Sequence, residues 1–172
     1  MSAAEFSRIV KVRPHPPQST TLEANDEERA ALAHRVGVTA IEALSAELSF
    51  TPEGDAIVAT GTLAADVIQP CAVSGEDFAV HLKEPLHLRF VRALSPVAAD
   101  EEIELADDEP DEIEFDGEII DVGEAVAQSL ALAVDPYAMG PDADAARRAA
   151  GIEDESAPRG PLAEGLAALR KT

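Results

Sequence analysis

The 172-residue chain carries 34 Asp/Glu against 13 Lys/Arg, a formal net charge of −21 at pH 7, and that imbalance repels nucleic-acid phosphate and anionic lipid alike. Five Phe, one Tyr and no Trp leave too few rings for a platform that stacks single-stranded bases. The length suits one domain with a sizeable core plus tails, while the single Cys excludes an internal disulfide and, with no Cys/His cluster, a zinc site.

No apolar run approaches the ~18–20 residues needed to span a bilayer. The N-terminal MSAAEFSRIVKVRPHPP lacks the apolar core and cleavage pattern of a signal peptide. With one cysteine in place, these features lead to the expectation of a reducing, cytoplasmic environment. The charge is unevenly placed: residues 93–146 hold seventeen acids and no Lys or Arg. A basic protein partner suits that block better than phosphate does.

In chain order, Phe6–Val12 reads as a first strand that ends at Pro14-His15-Pro16-Pro17. Asn25 is placed to cap a short helix over Asp26–Arg35, with Asp26, Glu27 and Glu28 at its positive end and Gly37 as its stop. Ile41–Phe50 alternates, with Leu44, Ala46, Leu48 and Phe50 on one face, as in a half-buried strand. Thr51–Asp55 makes a turn, and Ala56–Gln69 returns as a long strand in which Gly61 marks a bulge or a close backbone approach. Cys71–Glu76 forms the next turn.

Two strands, Phe78–Leu82 and Leu86–Leu94, follow on either side of Pro85. Phe78, Val80, Leu82, Leu86, Leu88 and Phe90 share the core parity. His81, Lys83, His87 and Arg89 share the other, and form the only basic stripe in the first 92 residues. Asp100–Glu112 contains nine acids in thirteen residues, so residues 98–111 are expected to be a mobile acidic loop. Glu114–Ile120 reads as a short strand, an Asp-Gly turn and a return.

Asp121 then caps a helix over 121–135, with Glu124 at the capping-box position. Its apolar stripe is Val122, Ala125, Val126, Leu130, Ala133 and Val134, widened by Leu132, and Asp135-Pro136 closes it. So broad a stripe needs a sheet to cover. Residues 1–137 are expected to form one domain. Residues 138–172 read as a mostly disordered tail with a short amphipathic helix at 162–171, where Leu162, Leu166 and Leu169 fall at helical spacing.

These elements predict an α+β fold: a curved antiparallel sheet covered by the 121–135 helix and edged by a second, short helix. Partial closure into a barrel is open to strands that are sequential and short-looped.

No reactive constellation emerges. Aligning Gly117 with the glycine of an EF-hand loop puts Glu112, Glu114 and Asp116 at ligand positions, but the twelfth position falls on Gly123. Cys71 lacks a base that the sequence brings near it, since His81 and His87 point outward by parity. No Gly-rich phosphate loop or zinc-protease motif occurs. Neither a catalytic residue, a metal ligand nor a cofactor is therefore nominated.

The segment Ile113–Tyr137, with its Asp-apolar start, Leu-rich helix and Pro exit, resembles the large ribosomal RNA subunit accumulation (YceD) family. So does the strand Gly61–Cys71, running from a glycine into a cysteine, and the two segments lie within residues 38–137. The resemblance implies a non-enzymatic factor needed for large-subunit ribosomal RNA to accumulate. Within that role the acidic block, represented by Glu101, Glu102, Asp107 and Asp108, would hold a basic ribosomal protein or assembly factor. Direct RNA binding through His81, Lys83, His87 and Arg89 is the competing mechanism. A small-molecule or hydrolytic enzyme on a barrel-like fold is the alternative from another class.

Overall fold

A computed structural model of the protein describes residues 5–93 and 112–152. Three long strands, β3 (Ala40–Glu53), β4 (Ala56–Pro70) and β5 (Asp77–Arg92), form its centre. β2 (Ser19–Glu23) and β6 (Glu112–Phe115) flank them, in the order β2-β3-β4-β5-β6. A separate ribbon pairs β1 (Ile9–Lys11) with β7 (Ile119–Asp121). The helices are α1 (Asp26–Val36), α2 (Val122–Ala133) and α3 (Ala143–Ala149).

The alternation in β3 does what period-2 patterning requires: Leu44, Ala46, Leu48 and Phe50 are all buried. Ile41 is buried too, although it lies three positions from Leu44, an odd spacing for one face. A register shift between Ile41 and Ala43 supplies the missing half-step, so both side chains reach one face. The irregularity expected at Gly61 therefore sits at the start of β3. Gly61 serves the other purpose, since a Cβ there would lie 1.7 Å from the Glu47 carbonyl oxygen.

β5 is one strand, not two. Pro85 stays in register with Thr62 of β4, at a level that β6, paired only with Arg89–Arg92, does not reach. Among the described residues β5 is an edge there, where proline is tolerated in a strand. The sheet is also not wholly antiparallel, because β5 and β6 run parallel. The long 93–111 connection permits that direction where a tight hairpin could not. Nor do the strands after Asp116-Gly117 form a hairpin: β6 joins β5, whereas β7 joins β1. Among the described residues the large sheet stays open, so the partial barrel is not formed. Its two end strands, β2 and β6, pair with β3 and β5 and not with each other.

One face of the sheet takes the helices. α1 has the capping box that Asn25 promised: Asn25 Oδ1 accepts from the Glu28 N–H, and Glu28 Oε2 accepts from the Asn25 N–H. Gly37, at φ 76°, closes it in the left-handed region. α1 buries only Leu32 and Ala33, matching its small residues.

α2 is the greasier cover, burying Val122, Gly123, Ala125, Val126, Ala127 and Leu130. Leu132 does not join that stripe; it is 81% exposed. The core is continuous from Phe6 and Leu32 through β3–β5 to Phe115, Ile120 and Leu130.

The start of the expected tail is structured. Ala138 accepts a hydrogen bond from the Ala72 N–H at 3.0 Å, Gly140 packs against Phe78, and Ala143 at the head of α3 is buried. The acidic loop 98–111 and the helix expected at 162–171 lie outside the described residues.

Candidate partner-binding surfaces

Three local arrangements offer chemistry. The first is the face of the sheet that carries no helix. Register places His81, Lys83, His87 and Arg89 of β5 on this face, beside Asp66, Ala64, Thr60 and Val58 of β4. The four expected RNA-binding residues are thus brought together, but two of them are already paired. His81 Nδ1 lies 2.6 Å from Asp66 Oδ1. Arg89 reaches Glu112 at 3.3 Å, with Glu53 at 3.9 Å. Lys83 and His87 are exposed and form no ion pair among the described residues. Farther along the face, Ser19, Thr21, Ser49, Thr60 and Thr62 make a polar surface over β2–β4 around the exposed Glu47.

The second arrangement is a groove of about 340 Å³ between β6 on one side and α2 with the β1–β7 ribbon on the other. Phe90, Ile113 and Ala125 line it with Ile9, Ile119 and Ile120. Ile9 and Ile119 are 56% and 46% exposed, an unusual state for two isoleucines on neighbouring strands.

Acids surround this opening. Glu114 and Asp116 line it, are exposed and make no ion pair among the described residues. Asp121 and Glu124 also line the groove but are engaged elsewhere. Asp121 caps α2 by accepting from the Gly123 and Glu124 N–H groups, and holds the N-terminal segment by accepting from the Arg8 N–H and the Ser7 hydroxyl. The Glu124 side chain turns to Arg35 of α1 rather than completing the capping box. Besides Arg8 and Arg35, the cations nearby are Lys11, in register with Ile119 on β1, and Arg92, which lies over the Phe115 ring and donates to the Gly117 carbonyl at 3.4 Å.

The third is Cys71, buried in the turn after β4. The Ser74 hydroxyl and N–H, with the Gly140 and Val73 N–H groups, donate toward its sulfur and lower the thiol to about 7. Val73 N and Ser74 N both stand 3.4 Å from Sγ. No histidine or carboxylate is among these partners, so the turn favours a thiolate without supplying a base. Among the described residues no three His, Cys, Asp or Glu side chains converge as a metal site.

Glu101, Glu102, Asp107 and Asp108 fall outside the described residues. The groove escaped sequence reasoning because it joins Ile9 to residues more than a hundred positions away. The available signal was the cluster of acids around Ile113 and Ile119, two isoleucines that the helix pattern leaves unused.

No curated protein and no solved structure matches this chain. Among the described residues no helix is long and apolar enough to cross a membrane. Residues 59–169 match the family described as large ribosomal RNA subunit accumulation protein YceD. The match begins within β4 and takes in the rest of that strand, β5, the acidic connection, β6, β7, α2 and the segment that follows; this chain belongs to the YceD family.

Proposed function

We propose that the protein supports accumulation of large-subunit ribosomal RNA as a non-enzymatic cytoplasmic factor that holds a basic ribosomal protein or assembly factor. The observation that carries this reading is the charge distribution: seventeen acids and no Lys or Arg over residues 93–146. Such a block costs the folded chain self-repulsion, which a basic partner relieves. Three of the six Lys and Arg in residues 1–86 are already committed. Arg8 pairs with Glu28, Arg29 with Asp26, and Arg35 with Glu5 and Glu124. What the described surface presents to a partner around β6 is therefore chiefly negative.

Complementary charge of this kind mainly accelerates and selects encounter. Glu101, Glu102, Asp107 and Asp108 belong to the densest part of the block and are its proposed contact residues. Direct RNA binding by His81, Lys83, His87 and Arg89 draws less support, since Asp66, Glu53 and Glu112 stand against two of those four residues.

Capture of partners from lysate by the tagged full chain, with and without nuclease, tests the proposal. Basic ribosomal proteins or assembly factors that remain after nuclease treatment are the expected result. Partners lost entirely on nuclease treatment would transfer the role to the basic strand face.

A further inference from the structure

We infer that the groove between β6 and α2 is a docking site for an extended, basic-apolar segment of the protein partner, added as a strand along β6. This rests on the protein-binding reading above and gives it a location. Three independent features of the molecule converge there.

The first is an open sheet edge. Among the described residues β6 ends the sheet order and pairs only with β5. The Phe115 carbonyl accepts from the Ala93 N–H on the β5 side, so the alternation of a strand turns the N–H and C=O of Glu114 outward. An extended peptide finds main-chain partners on such an edge.

The second is an apolar trough beside that edge. Ile9, Ile113 and Ile119 face the groove, with Phe90 and Ala125 behind them. A strand laid along β6 would send every second side chain toward this trough, and aliphatic residues there would cover Ile9 and Ile119.

The third is charge. Glu114 and Asp116 line the opening, exposed and without an ion pair among the described residues. The intervening side chains of the docked segment would meet these carboxylates, which selects Lys or Arg. A segment alternating Lys/Arg with Val, Ile or Leu satisfies edge, trough and rim together. An acidic segment of this same chain would be repelled by the rim, and an RNA strand would meet like charge.

The test uses the full chain and a fluorescein-labelled twelve-residue peptide alternating Lys with Val, read by anisotropy. A Lys-Ser peptide of equal charge and length serves as control. The expected result is saturable binding of the Lys-Val peptide, at least about tenfold tighter than the Lys-Ser peptide. Ile9→Ser/Ile119→Ser should lose about tenfold, and Glu114→Gln/Asp116→Asn should flatten the salt dependence. Ile9 and Ile119 are exposed, so their replacement leaves the fold intact, which the melting temperature confirms.

Equal binding of the two peptides, or no effect of the isoleucine variant, would overturn the groove. So would sedimentation of the chain as a dimer that Ile9→Ser/Ile119→Ser turns into monomers, because the groove would then be covered by a second copy. Lysate capture with the same isoleucine variant separates the two proposals. Undiminished nuclease-resistant capture of basic proteins by Ile9→Ser/Ile119→Ser would retain the protein-binding role and reject the groove. Failure of the unsubstituted chain to capture any such protein would reject the role itself.

Discussion

Arg35 at the end of α1 grips Glu124 in the first turn of α2 through two hydrogen bonds of 2.7 and 2.9 Å, tying together the two helices that cover the sheet. Arg8 binds Glu28 in the same two-pronged way at 2.7 and 2.9 Å. The guanidinium hydrogen bond is the main reason each glutamate lies below the ordinary carboxylate value, against an opposing effect of burial. Both carboxyls are therefore easier to ionise folded than unfolded. Their contribution is complete above the unfolded carboxylate pKa, about 4.3, and is lost as pH falls through the depressed folded values. Protonation of the acidic block relieves repulsion and acts in the opposite sense. The expected outcome is that Glu28→Gln/Glu124→Gln lowers the melting temperature at pH 7 and shows less further loss than the parent below about pH 4.3. Parallel acid limbs in the two melting curves would mean that neither pair contributes.

Leu130 and Leu132 sit two residues apart on α2 with opposite fates, one at 0% and the other at 81% exposure. Leu130→Ala leaves a cavity against the sheet and should destabilise by ~2–5 kcal/mol. Leu132→Ala should stay within about 0.5 kcal/mol of the parent. Urea unfolding of both variants checks the contrast, and equal midpoints would misplace the covering face of α2.

Gly61 is held by space rather than by a positive φ, since its Cβ position is taken by the Glu47 carbonyl oxygen at 1.7 Å. Backbone cannot swing aside as a side-chain tip does. Gly61→Ala should separate β3 from β4 locally and cost ~1–3 kcal/mol. Amide exchange at residues 46–48 and 60–62 should accelerate with it; unaltered exchange would show that the strands do not approach so closely.

Several parts of this architecture were legible in the chain because local chemistry and tertiary fate agreed. Asn25, Glu28 and Gly37 delimit α1 by caps that act within four residues. Leu44 through Phe50 alternate because one face of β3 is buried and the other is not. β2 was invisible for the converse reason: Leu22 is its only buried residue, so Ser19–Glu23 has almost no pattern to read. Pro85 suggested a break because nothing local announces that β5 has an open edge there. The parallel direction of β6 and the partners of Ile9 and Ile119 depend on contacts across the whole chain, which no window of ten residues contains. The basic stripe was legible by parity, while the acids that engage His81 and Arg89 come from β3, β4 and β6.

Cys71 gives a pH-dependent signal of its own. Its thiol is brought from the ordinary value near 9 to about 7 by donors from Ser74 first, then Gly140 and Val73. The folded state is thus favoured progressively as pH rises from about 7 toward 9. Thiolate absorbance at 240 nm should titrate with a midpoint near 7, and Ser74→Ala should raise it. A midpoint near 9, the ordinary thiol value, would show that the turn does not stabilise the anion.

The central claim is that the acidic block holds a basic protein, and replacing part of its charge without changing its shape tests it most directly. Glu101, Glu102, Asp107 and Asp108 are changed together to their amides, and capture of basic ribosomal proteins is measured across a salt series. The account predicts a melting temperature equal to or slightly above the parent's, because repulsion is relieved. It predicts weaker capture and slower association, most plainly at low salt. Undiminished capture of the same proteins with the same salt dependence would contradict it.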